Sequence, residues 1–188
     1  DPLDSTALGD SKVIWELNRH QWLVGLECAY HLSGDERYAA AVVGSIGEWI
    51  AANPPGVGIN WKSSLEVALR LISWCWAAVL LLGSKALSED VFAVLTASIR
   101  GHAQHVERYL AYYFSPTTHL TGEGLGLCYA GVLFPEMREA SRWRSLGARI
   151  LLEQIERQML PDGVYFEQST CYQRYTIEIY LHFLILAR

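Results

Sequence analysis

The chain has 188 residues, 51% hydrophobic and 19% charged, enough for a domain with a sizeable core that needs no disulfide or metal staple, and too apolar for disorder. Its 15 Lys and Arg against 20 Asp and Glu leave a formal net charge of -5, the wrong balance for gripping nucleic acid by counterion release. The longest apolar stretch, Leu71 to Leu82, is too short to span a bilayer and predicts a buried helix.

The start, Asp1-Pro2-Leu3-Asp4, shows no basic segment followed by an apolar run, which fits a mature or excised piece better than a signal peptide. Apolar residues then recur at helical spacing nearly throughout, so the expected class is all-α. A first helix is predicted from about Lys12 to His31, with Ile14, Leu17, Val24 and Cys28 on one stripe and Gln21 set inside it. Ser33-Gly34-Asp35-Glu36 has the form of a capping box and opens a second helix carrying Val42, Ile46 and Trp49, which Asn53-Pro54-Pro55-Gly56 stops. Ser63-Ser64-Leu65-Glu66 repeats that form and starts the most buried helix, which makes Glu66 a capping carboxylate. Ser88 caps a long fourth helix with Leu95, Ile99 and Val106. A short glycine-rich helix is predicted from Glu123 to Leu133, a sixth from Pro135, and a seventh from about Ser169, whose pattern still runs at Arg188.

Helices of this length, joined by alternating short and long connections, suggest antiparallel hairpins packed side by side as in an (α/α) toroid or helical array. Four cysteines, Cys28, Cys75, Cys128 and Cys171, stand far apart with no C-x-x-C pair, so buried free thiols are expected. His102 and His105, one turn apart, lack a third ligand at metal spacing and read as a surface or helix-packing pair; neither a metal nor a cofactor is called for. Trp61, in the Gly58-Ile59-Asn60-Trp61 loop, is the tryptophan best placed to stack on a sugar ring. Asn18-Arg19-His20-Gln21 sets four hydrogen-bonding side chains in succession on an apolar helix, where at most two face one ligand.

The strongest local signal is Ser115-Pro116-Thr117-Thr118-His119-Leu120-Thr121-Gly122-Glu123, which presents an imidazole and then a carboxylate at a helix start. A second runs from Asp162 to Tyr175, where a turn delivers Glu167 and the next helix presents Tyr172 and Tyr175 with Arg174 beside them. An arginine near a phenol lowers its pKa and makes proton transfer by tyrosine feasible; core packing of both rings is the competing reading.

Trp15 to Gln21, Gly58 to Trp61 with Ser63 to Glu66, the His119 loop and the Asp162 to Tyr175 segment, in that order, resemble the N-terminal helical, alginate-lyase-like domain of heparinase II/III-like polysaccharide lyases. The resemblance covers nearly the whole chain. It implies an incomplete, truncated (α/α) toroid over residues 1–188, a β-sandwich domain that follows it and lies outside this chain, and cleavage of acidic, uronate-containing polysaccharide by β-elimination. A periplasmic or secreted protein is what that substrate implies.

In such chemistry the proton on C5 of a uronate becomes acidic only when the neighbouring carboxylate is neutralised by hydrogen bonds or positive charge. By resemblance His119 and Tyr172 take the base and acid positions, with Tyr175 in reserve, and neutralisation falls to Asn18, Arg19, His20, Gln21 or Arg70. Lyases of this family have Asn where this chain has Thr118, and often His where it has Gln173. Two other readings therefore stand beside the lyase: a non-catalytic glycan-binding toroid in exopolysaccharide export or modification, and a glycoside hydrolase using Glu123 and Glu167 as its carboxylate pair.

Overall fold

The computed structural model describes residues 9–188, so the Asp1 to Asp4 start lies outside the described residues. Eight α-helices follow in order: α1 (Ser11–Asn18), α2 (Leu23–Ser33), α3 (Glu36–Ala52), α4 (Ser64–Leu80), α5 (Glu89–Arg108), α6 (Thr118–Leu133), α7 (Ala140–Gln158) and α8 (Thr170–Leu186), with a 3-10 turn at Ile59–Trp61 before α4. The only extended pairing among the described residues is an isolated antiparallel bridge between Met159 and Tyr165.

Several elements begin or end elsewhere than the pattern predicts. The first helix is two, because the chain turns at His20, which takes the left-handed conformation (φ 60°). The cap of α3 is Asp35, whose side chain accepts from the Arg37 amide at 3.0 Å; Ser33 is the last residue of α2, and the turn is made by Gly34 at φ 68°. Ser63 precedes α4 without a side-chain capping bond, whereas Ser88 caps α5 as expected. The glycine-rich helix α6 begins at Thr118, a full turn before Glu123, and α7 begins at Ala140 rather than Pro135.

Pairwise packing gives the layer arrangement. Gly122 meets Leu65 and Gly126 meets Ala68, so α4 and α6 run parallel; Gly122 meets Tyr175 and Tyr129 bonds His182, so α8 runs parallel to α6. In contrast Gly124 packs on Gly147 and Ile150 while Gly131 packs on Ala140, which makes α6 and α7 antiparallel. Helices α4, α6 and α8 are thus an inner, parallel layer, and α5 and α7 return outside them, the hairpin order of an (α/α) toroid. A Cβ on Gly131 would stand 2.5 Å from the Ala140 carbonyl oxygen, so glycine there lets the two backbones touch.

The core is centred on α4, whose Val67, Ala68, Leu71, Trp74 and Cys75 are wholly buried, joined by Val42, Ile99, Leu127 and Trp143 from its neighbours. No helix of the described residues is long and apolar enough to cross a membrane. All four cysteines are free, Cys75 and Cys128 buried but Cys28 and Cys171 exposed, so only half of them are the buried thiols expected.

Candidate functional site

Two polar clusters sit at the start of the inner helices. The first locks the break between α1 and α2 against α4. The Arg70 guanidinium donates from Nη1 to the Asn18 carbonyl (3.1 Å), from Nη2 to the Asn60 carbonyl (3.0 Å) and from Nε to His102 Nε2 (3.0 Å). Ser73 Oγ donates to the Arg19 carbonyl at 2.9 Å, and Trp74 Nε1 to His20 Nδ1 at 2.9 Å. Asn18 Oδ1 accepts from Trp49 Nε1 (2.6 Å) and Asn60 Nδ2 (3.3 Å). The Arg70 charge lies 4.1 Å from the centre of the Trp49 ring, a cation–π contact in a dry setting.

This cluster corrects four sequence expectations. Arg70 is wholly buried and its donors are taken by protein acceptors; burial lowers its pKa to about 9. His20 is buried with its pKa near 4, from burial first and the Arg70 charge second. Asn18 is tied to Trp49, Asn60 and the Ile14 carbonyl. Trp61 is 6% exposed and packs its ring 4.6 Å from His102 and 5.2 Å from His105, so neither of its faces is open to a sugar, and the two histidines pack against it. These residues hold the frame, and the polar, aromatic loop composition that drew attention to them reflects a buried network instead.

The second cluster is where that frame delivers side chains. Arg19 leaves the break and pairs with Glu66 through two bonds (2.7 and 3.0 Å), with Glu16 at 2.7 Å from its other edge. Glu66 is therefore an ion-pair partner rather than a capping carboxylate, a long-range role that Ser-x-x-Glu spacing hides. Arg19, Gln21, Arg174 and Tyr175 line one groove of about 630 Å³ that continues past Trp76 to His182.

Tyr175, on the groove wall, is where the beginnings of α4, α6 and α8 meet. A Cβ on Gly122 would lie 2.5 Å from Leu65 Cδ1 and 3.3 Å from the Tyr175 hydroxyl, so glycine at that position admits the phenol. The Tyr175 hydroxyl is buried there without a hydrogen-bond partner among the described residues; the Ser64 hydroxyl lies beside the buried Glu123 carboxyl, and Glu167, one of whose oxygens is buried and unpartnered, lies beside Tyr165. Such groups are uncommon in a finished core. Gln168, directly after Glu167, holds a left-handed φ of 51°, one of two non-glycine residues to do so among the described residues; the other is His20.

His119 stands half-buried on the first turn of α6, its pKa lowered by burial while Glu66 and Glu167 pull it upward, so the ring is neutral near pH 7. Tyr175 differs from expectation: the Arg19 charge draws its pKa down, but burial outweighs it and pushes the phenol well above the ordinary value. Tyr172, one turn nearer the helix start, is exposed. Thr118 is buried at the opening of α6, and Glu123 is 1% exposed with one oxygen accepting from the Ala111 amide at 2.7 Å; burial raises its pKa to about 7. Glu123 thus anchors a loop and does not face the groove. Gln173 accepts from the Tyr165 amide (2.6 Å) and donates to the Gly163 carbonyl (3.4 Å), which fixes the turn carrying Glu167.

Comparison with known proteins places this arrangement. The family model for the heparinase II/III N-terminus matches residues 4–188. The chain belongs to the heparinase II/III family. It is 31% identical over 177 residues to the heparin-sulfate lyase of Pedobacter heparinus, covering 92% of this chain and 26% of that protein. A heparin-sulfate lyase of Bacteroides stercoris is 29% identical over 199 residues, with 95% of this chain and 29% of the relative covered. A crystal structure of heparinase III superposes with a TM-score of 0.82 at 26% identity, over 91% of this chain and 26% of that one. The chain therefore spans about a quarter of the length of the heparinase II/III relatives it matches. Sequence reasoning named His119, Tyr175, Arg19 and Glu167 as candidates; it read Ser64 and Glu66 only as a capping box, and it offered no role for Trp76 and His182, which the groove brings in from distant helices.

Proposed function

We propose that this heparinase II/III domain forms one wall of the cleft of a polysaccharide lyase that acts on uronate-containing chains of the heparan sulfate type by β-elimination. The observation that carries the reading is one groove lined by Arg19, Gln21, Arg174 and the Tyr175 whose hydroxyl is buried and unpartnered among the described residues, on a domain whose relatives are heparin-sulfate lyases. Arg19 lies on the groove wall paired with Glu66 and Glu16, and in this reading it turns from the exposed Glu16 to meet the uronate carboxylate, helped by Gln21. His119 then takes the C5 proton; the electrons of that C–H bond form the C4–C5 double bond as the C4–O4 bond breaks, and Tyr172 gives its proton to the departing oxygen. Tyr175, one turn deeper, holds the ring from below. A longer chain, through the β-sandwich domain the resemblance implies, closes the other wall.

The test uses a chain extended to its relatives' length and heparan sulfate as substrate. Products with an unsaturated uronate end, read by ultraviolet absorbance, are expected, and Tyr172→Phe should lower turnover by about 100-fold or more with the fold intact. Loss in Tyr175→Phe with Tyr172→Phe unaffected would move the acid role inward. Saturated products would contradict β-elimination and point to hydrolysis by a carboxylate other than Glu123. Thr118, standing where family lyases have Asn, favours a binding-only protein in exopolysaccharide export or modification, and glycan binding without turnover would support that.

A further inference from the structure

Arg19 has two carboxylate partners, and they are held differently. Glu66 takes Nε and Nη2 in a fork of two bonds, at 2.7 and 3.0 Å, and is buried on the first turn of α4. Glu16 takes Nη1 at 2.7 Å from α1, and its side chain is 66% exposed. A sheltered bidentate pair persists, whereas an exposed pair three residues apart contributes about 1 kcal/mol or less, because water screens it and two long side chains have to be held still. Glu16 is therefore the partner that can leave.

What remains when it leaves is a fixed cationic edge. Ser73 Oγ donates to the Arg19 carbonyl at 2.9 Å, which ties that backbone to α4, and Glu66 keeps the guanidinium where it is. Helix α1 does not depend on Glu16 either, since the Trp15 indole donates to the Ile59 carbonyl (3.0 Å) and Asn18 Oδ1 accepts from Trp49 (2.6 Å). Glu16 and Arg19 both line the groove. Charge decides what an acidic ligand has to do there. One guanidinium with two carboxylates already carries a negative surplus, in a domain of formal net charge -5, so a third carboxylate added beside it is repelled. A carboxylate that takes the place of Glu16 leaves the charge around Arg19 unchanged.

We propose, on the glycan reading above, that Glu16 is a displaceable competitor whose carboxylate occupies the edge of Arg19 that receives the uronate carboxylate, and that it thereby sets the groove's affinity and selectivity. On binding, Glu16 swings into solvent and the uronate carboxylate takes over Nη1, while Glu66 keeps Nε and Nη2. Parting the Glu16 pair subtracts its free energy from the affinity of every ligand that enters. A uronate restores an ion pair of the same kind, but a neutral sugar at that position does not, so the competitor discriminates against uncharged chains.

The test is calorimetric titration of this chain with a heparan sulfate hexasaccharide at physiological ionic strength. Glu16→Gln should bind about fivefold more tightly than the parent, the fold-change that an exposed pair of this kind corresponds to. Glu178→Gln is the control: Glu178 lines the same groove without an ion pair among the described residues, and its loss removes the same charge, so a gain below about twofold is expected. A hexasaccharide whose uronates have been reduced to neutral sugars should bind Glu16→Gln and Glu178→Gln alike. Equal gains in Glu16→Gln and Glu178→Gln with the unreduced hexasaccharide, or no gain in Glu16→Gln, would overturn the competitor and leave the glycan reading standing. A fivefold gain in Glu16→Gln that persists with the reduced hexasaccharide would overturn the uronate carboxylate as the group that replaces Glu16. Absence of binding by the parent and by both variants would overturn the glycan reading and the competitor with it.

Discussion

The two polar clusters at the head of the inner helices use the same residue types and lie one α4 turn apart, yet they differ in how their hydrogen bonds are closed. Around Arg70, a buried cation, two carbonyls and three aromatic rings are engaged with one another, and only Asn60 Oδ1 lacks a partner among the described residues. At the beginnings of α4, α6 and α8, the buried Tyr175 hydroxyl and an oxygen of Glu167 lack a partner among the described residues. The first cluster is complete and acts as a frame. The second leaves polar atoms open beside the pair of Arg19 with Glu66, and the frame holds the break from which Arg19 projects.

The comparison is tested hardest at Arg70. Arg70→Met should lose about 4 kcal/mol of stability in chemical denaturation, because it leaves the Asn18 and Asn60 carbonyls and His102 Nε2 buried without donors. A loss below about 1 kcal/mol would mean that the frame is not what holds the α1–α2 break.

Glu27 sharpens the rule by standing outside it. It is wholly buried on α2 with both oxygens unpartnered, and burial raises its pKa from 4.5 to about 8. A raised carboxyl means that the folded state holds the proton longer, so stability falls as pH rises from 4.5 to about 8 and stays low above it. Glu27→Gln should match the parent near pH 5 and exceed its stability by about 3 kcal/mol near pH 9. An open polar group away from any groove is thus a stability cost with no site attached. A parent stability that does not fall across that window would show that Glu27 finds a partner.

Smaller effects separate the clusters further. Ser73→Ala, which removes the bond to the Arg19 carbonyl, should cost about 1 kcal/mol. Tyr175→Phe, which removes a hydroxyl without a hydrogen-bond partner among the described residues, should change stability by less than about 0.5 kcal/mol, in either direction. Equal and large losses in the two variants would erase the distinction between frame and site.

Much of the fold is legible in the sequence because helical periodicity is local. Val42, Ile46 and Trp49 face the core as their spacing predicts, and Ser88 caps the helix it precedes. The break at His20 is not legible, because a left-handed histidine is made tolerable by a bond from Trp74, 54 positions away. The same distance hides the pairing of Arg19 with Glu66 and turns Trp61, exposed by its loop context, into a buried ring. In the candidate site the segment carrying His119 and that carrying Tyr175 are readable as motifs, since each is contiguous. Ser64 and His182 enter only because parallel inner helices bring three distant starts together and extend one groove between them.

The most direct test of the central claim is amide hydrogen exchange on this chain with and without a heparan sulfate hexasaccharide. The account predicts new protection at residues 118–123, 167–175 and around Arg19, with no change at Asn60, Trp61 and His102, whose bonds are already closed. Protection centred on Trp61 and His102, with the His119 segment unaffected, would contradict it.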